Sequence, residues 1–153
     1  MTPPHLALIL FITLVWGFNY VAGKAGVNEL PPILFTGLRF FLLSIILLPF
    51  LKLHRGQMWP IAIISLTMGG VHFAIFYMGL AAAHDVSTVA IAGQLGVPFA
   101  TIMSIIFLNE KVHWKRWLGI STSFIGVMII GFDPVVFQYL NGLILVILAA
   151  LVG

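Results

Sequence analysis

The chain has 153 residues, 61% hydrophobic and 7% charged; seven are Lys or Arg and four Asp or Glu, a formal net charge of +3. Soluble domains carry about 25% charge and roughly 45–50% apolar residues, so a water-exposed globule is excluded. The absence of cysteine excludes disulfides, thiolate metal sites and cysteine nucleophiles, and the scattered cations make no basic stripe for nucleic acid.

A membrane-spanning helix uses about 20 apolar residues, which leaves room for about six spans. The first apolar run extends from Leu6 to Gly23. Met1 to His5 carries no Lys or Arg, so this run reads as a retained helix rather than a signal peptide. Trp16, Asn19, Tyr20 and Gly23 share one face of it. Asn19 offers donors and an acceptor at mid-span, and the aromatics offer a surface for the apolar part of a ligand. The same residues also suit an interhelical hydrogen bond and an interfacial aromatic belt.

The second run begins after Pro31-Pro32 and continues to Leu51. Arg39 falls about two turns inside it, roughly 10 Å deep by helix rise. A guanidinium keeps its charge, so it must pair, face water or snorkel to the interface. Facing the bundle or a cavity, it would suit the carboxylate of an anionic substrate. The third run covers Pro60 to Ala83, with His72 near its middle and Gly69, Phe76 and Gly79 expected on the same face. His72 is open to two readings: a neutral imidazole bonded to a neighbouring helix, or a proton relay. Glu29, Asp85, Glu110 and Asp133 all fall at span ends, so no carboxylate proton carrier lies at the midplane.

The fourth run, Val86 to Leu108, carries Ser87, Gln94, Pro98 and Thr101 close to one face. Pro98 frees the carbonyl near Gln94 and predicts a kink there, beside a polar cavity or as a tolerated packing feature. The fifth run, Trp117 to Phe132, places Gly119, Thr122, Ser123 and Gly126 on one face, a small-residue surface suited to close helix packing. After Asp133-Pro134 a sixth run starts near Leu140 and stops at Gly153, too short to cross the hydrocarbon core.

Orientation follows from the cations. Lys52 and Arg55 lie between runs two and three, and Lys111, Lys115 and Arg116 between runs four and five, while the opposite connections hold only Lys24. The positive-inside rule makes the former side, and the N-terminus, cytoplasmic. A second five-helix unit would then run in the opposite sense, as in inverted-topology repeats. No grouping of Ser, His, Asp or Glu shows catalytic or metal-ligand spacing, so the chain reads as a non-enzyme without cofactor or metal.

Three segments carry a family resemblance. Trp16-Gly17-Phe18-Asn19-Tyr20, with Lys24 following, resembles a first-helix signature. Pro31-Pro32 with Gly37-Leu38-Arg39-Phe40 resembles the start of a second helix, and Pro98 through Leu108-Asn109-Glu110-Lys111, then Trp117-Leu118-Gly119 and Gly126, resembles a fourth-to-fifth helix segment. Together they resemble the EamA-type members of the drug/metabolite transporter superfamily. Asn109 stands where that family often has Gly. The resemblance implies a ten-helix inner-membrane transporter of two inverted five-helix repeats, moving small metabolites such as amino acids and cysteine-pathway compounds. Pro31-Pro32, Gly37 to Phe40 and Phe99 to Met103 look like the cysteine/O-acetylserine exporter branch.

The expectation is therefore an all-α integral membrane protein. Residues 1–136 would form the first five-helix repeat and residues 137–153 the truncated start of a second. Its partners would be the bilayer, a small polar metabolite, and a second repeat on the same full-length chain or a second copy. Trp16, Asn19, Tyr20, Arg39, His72 and Gln94 are expected to line a substrate site. Glu110, beside Lys111, Lys115 and Arg116, reads as a latch on the cytoplasmic face. The alternatives are a small-drug or lipophilic-cation exporter and a non-transporting membrane scaffold subunit.

Overall fold

Proline and glycine placement sets the helix ends. The computed structural model describes residues 3–52, 56–109, 113–131 and 138–153. Arg55, Glu110, Lys111 and Asp133, and with them the 136/137 boundary and part of the charge count, lie outside the described residues. Helix α1 spans Pro3–Glu29, six residues beyond the expected end at Gly23. It continues because Gly26 is tolerated in helix, its carbonyl accepting from Leu30 N at 2.9 Å, and stops at the helix-excluding Pro31. Lys24 is thus a helical residue facing the bundle, not a loop cation. Helix α2, Pro32–Leu47, starts with proline in its first turn and runs into a short 3₁₀ turn, Leu48–Phe50. The Phe35 ring of α2 lies against Gly26 with no room for a Cβ there, so the α1–α2 corner is tight.

The third span is one rod in three windings: α3 (Met58–Ile64), a π-helical segment (Ser65–His72) and α4 (Phe73–Ala82). The wider π turn changes the expected facing. Gly69 has Phe40 of α2 as its nearest neighbour, whereas Gly79 packs against the last helix, so the two do not share a face. The fourth span breaks into α5 (Val86–Gly93) and α6 (Gly96–Leu108). Pro98 has no N–H to give the Gln94 carbonyl, and Val97 N takes that carbonyl instead at 3.3 Å. Asn109 ends α6 in the left-handed region at φ 53°. That conformation favours glycine and is tolerated by asparagine, which accounts for Asn at a position where Gly is expected.

Helix α7 spans Trp114–Gly131 and α8 Leu140–Val152. The core forms where α8 inserts against α4 and α5, burying Tyr77, Leu80, Val89, Val146 and Ala149. Its closest approach is at paired glycines. A Cβ on Gly79 would come 2.9 Å from Gly142 O, and one on Gly142 would come 2.7 Å from Ala83 N. The last helix, expected to begin a second unit, packs at the centre of the described bundle. In α7 the expected packing face is not the one used: Ile120, Phe124 and Val127 turn inward, while Thr122 and Ser123 bond their own helix and Gly119 and Gly126 face open space. In lipid, apolar area alone favours neither face, so the inward face is the one whose side chains fit the neighbouring helices, as Phe124 does against Phe99 at 5.5 Å.

Outer surfaces are apolar; Phe18 is 72% and Phe107 74% exposed. Among the described residues, four helical stretches, Pro4–Glu29, Pro32–Phe50, Met58–Ala82 and Val86–Leu108, are long and apolar enough to cross a membrane. Exposed hydrocarbon on this scale needs lipid rather than water around it. The protein is a membrane-spanning helical bundle with several passes.

Candidate binding cavity

A cavity of about 460 Å³ opens between α1, α2 and the third span. Trp16, Asn19 and Tyr20 line it from α1, where i, i+3 and i+4 spacing puts them on one face. Arg39 enters from α2, and His72, Phe73 and Phe76 from the third span. Five of the six expected site residues therefore meet in one chamber. Gln94 does not. It lines a second cavity of about 350 Å³ between α1 and α5, where Trp16 and Tyr20 reappear beside Ile9, Ile12, Thr13 and Ala90. Trp16 and Tyr20 thus form a partition with a chamber on each side. Ser87 and Thr101 line neither chamber, and Pro98 is buried. The break at Gln94 leaves this stripe on no single face, and the Thr101 hydroxyl is spent on Val97 O at 3.0 Å.

The polar groups divide by whether the protein already uses them. The Arg39 guanidinium donates to the Tyr77 hydroxyl and sits 5.7 Å from the centroids of both the Phe73 and Tyr77 rings. Both partners are neutral, and among the described residues no carboxylate stands against this cation. The His72 ring bonds through Nδ1 to Ala149 O of α8 at 2.7 Å. By contrast, the side chains of Asn19, Tyr20 and Gln94 make no hydrogen bond within the described protein. Free amide and hydroxyl groups on a cavity wall are the groups a polar ligand can bind without first displacing a protein contact.

Aromatic side chains supply the rest of the wall. Tyr20 meets Phe76 edge-on at 5.7 Å, and Phe40 meets Phe73 at 5.2 Å. Phe73 and Tyr77 were not among the expected site residues. Their signal was present, since Phe73, Phe76 and Tyr77 repeat at i, i+3 and i+4. Only the packing of α2 against that face shows Arg39 seated on it. Lys24, expected in a loop, instead bonds the carbonyls closing α4: Leu80 O at 2.9 Å, Ala81 O at 3.5 Å and Ala83 O at 2.8 Å. It ties the α1 face to the third span beyond the chamber.

Comparison with known proteins shows where this architecture belongs. Residues 4–132 match the model of the EamA-like transporter family. The uncharacterized transporter YoaV of Bacillus subtilis is 30% identical over 129 residues, covering 80% of this chain and 44% of that protein. A probable amino-acid metabolite efflux pump of Escherichia coli is 25% identical over 123 residues, covering 80% and 41%. An uncharacterized transporter of Archaeoglobus fulgidus is 29% identical over 128 residues, covering 82% and 46%. The chain therefore spans somewhat under half the length of these relatives. No solved structure matches. This is a family of transporters rather than enzymes, and the match takes in the segments that form both chambers: the chain belongs to the EamA-like transporter family.

Proposed function

We propose that this chain is one five-helix repeat of an inner-membrane exporter of small polar metabolites, amino acids or cysteine-pathway compounds, working by alternating access. Residues 1–136 would form the repeat, with a cytoplasmic N-terminus, and residues 137–153 would begin its inverted partner. A second repeat, on the same full-length chain or in a second copy, would close the open flank at Trp16, which is 65% exposed. Rocking of one repeat against the other would then open the chamber to alternate sides.

The observation that carries this reading is Arg39. A cation held by a phenol and two ring faces, with no carboxylate beside it among the described residues, has unused capacity for an anion. Asn19, Tyr20 and His72 would bond the remaining polar groups, Gln94 would receive the ligand across the Trp16–Tyr20 partition, and the aromatics would pack on its body. The likeness of Pro31-Pro32, Gly37 to Phe40 and Phe99 to Met103 to cysteine/O-acetylserine exporters points the substrate the same way. Resemblance to a probable amino-acid metabolite efflux pump agrees with it.

The test is flux. Full-length protein reconstituted in liposomes should exchange radiolabelled amino acids across the bilayer, and Arg39→Gln should weaken half-saturation about tenfold or more. A protein that moves nothing would be a scaffold, and one that moves lipophilic cations with Arg39 dispensable would overturn the anion reading.

A further inference from the structure

The hydrogen bond from His72 to α8 decides how the two nitrogens of that ring work. Nδ1 lies 2.7 Å from Ala149 O. A carbonyl oxygen has lone pairs and no proton, so Nδ1 must carry the hydrogen and donate it. In the neutral ring this leaves Nε2 as a bare acceptor. The ring is clamped in that orientation: its Nδ1 and Cε1 edge lies against Gly153, and its face stacks on Phe76 at 6.4 Å. Nε2 finds no protein partner among the described residues, and His72 is part of the chamber wall.

The other polar groups on that wall differ in kind. Arg39 can only donate, and Asn19 and Tyr20 can do either. Among the described residues no carboxylate lines the chamber, and neutral His72 is there the one wall group obliged to accept through its free atom. Phe73 neighbours both groups, its ring centroid 4.9 Å from that of His72 and 5.7 Å from the Arg39 guanidinium carbon, so the two belong to the same stretch of wall.

Resting on the reading of Arg39 as the carboxylate site, we propose that His72, held in its Nδ1–H form by Ala149, accepts from the ammonium of the same ligand. The chamber thereby selects zwitterionic α-amino acids over plain carboxylates.

The experiment measures binding of two probes to the full-length protein in nanodiscs: L-leucine, and 4-methylpentanoate, which is the same molecule without its ammonium. The protein should prefer L-leucine about tenfold, the worth of one charge-assisted hydrogen bond. His72→Asn keeps an amide donor near Ala149 O but removes the outer nitrogen, so the ratio of the two affinities should collapse towards one. The preference of the unmutated protein needs no variant to fold. Equal affinity for the two probes in that protein, or an unchanged ratio in His72→Asn, would overturn the inference while leaving Arg39 as the carboxylate site. Failure of both probes to bind the unmutated protein would overturn that site as well.

Discussion

Arg39 and Tyr77 meet across α2 and α4 as donor and acceptor, the guanidinium Nη1 giving its hydrogen to the phenol oxygen while the charge also lies over the Tyr77 ring. Tyr77 is completely buried, so the hydroxyl has no water to replace the arginine. Tyr77→Phe keeps the ring and removes only the acceptor. Thermal unfolding in detergent should show a loss of about 1–3 kcal/mol, the cost of stripping a hydrogen bond from a charged group in a desolvated site. An unchanged melting temperature would mean that the pair contributes nothing to holding α2 on α4.

The glycines of α4 and α8 should be the most sensitive positions in the core. Added methyl groups at Gly79 or Gly142 meet main-chain atoms of the opposite helix at 2.9 and 2.7 Å, and backbone cannot swing aside as a side chain can. Gly142→Ala and Gly79→Ala should each cost about 1–3 kcal/mol by overpacking. Gly119→Ala and Gly126→Ala, with open space at their Cβ positions, should stay within about 0.5 kcal/mol in the same assay. Equal effects at all four sites would contradict the observed packing of α7 and α8.

Lys24 acts as a side-chain cap on another helix. Its ammonium reaches three carbonyls at the end of α4, which would otherwise lack amide partners. Lys24→Met preserves the length of the stem and removes the donors, and should destabilise by about 1–3 kcal/mol. Hydrogen exchange should rise selectively at the last turn of α4. A global change in exchange without that local signature would argue against the capping role.

Asp85 closes the N-terminus of α5, taking Thr88 N on Oδ1 and Thr88 Oγ1 on Oδ2, each at 2.7 Å. Partial burial pushes its carboxyl up, but the Thr88 and Ser87 hydrogen bonds, with His84 nearby, outweigh this and hold it below the ordinary carboxylate range. A carboxyl depressed in the folded state contributes stability that is complete above its unfolded value and is lost as pH falls through the folded one. Melting temperature should therefore decline below about pH 4. Asp85→Ala should cost about 1 kcal/mol near neutrality and flatten that decline. A decline of the same steepness in the variant would assign it to other carboxylates.

Much of the helix plan is legible in local chemistry. Apolar run length marks the crossing segments, Pro31 and Pro32 mark the corner between α1 and α2, and Pro98 marks the break beside Gln94, because each acts on its own few residues. Trp16, Asn19 and Tyr20 are legible as a set for the same reason, since they lie within one helix turn. Less legible is anything that depends on which helix comes next. Arg39 reads as a charge in need of a partner, yet nothing local to it names Tyr77, 38 residues away. The π winding of Ser65–His72 likewise has no local signature, and it rotates Gly69 away from the face of Gly79.

Composition by itself determined that lipid is the solvent, because 61% hydrophobic and 7% charged residues cannot cover a surface against water. It also determined the helices, because a backbone in hydrocarbon must satisfy its own hydrogen bonds. Only the tertiary structure decided that α8 forms the centre of the core, that the small face of α7 looks outward, and that Gln94 stands in a different chamber from Arg39. Those outcomes rest on which surfaces fit at close range, and shape complementarity is a property of pairs of helices rather than of either one alone.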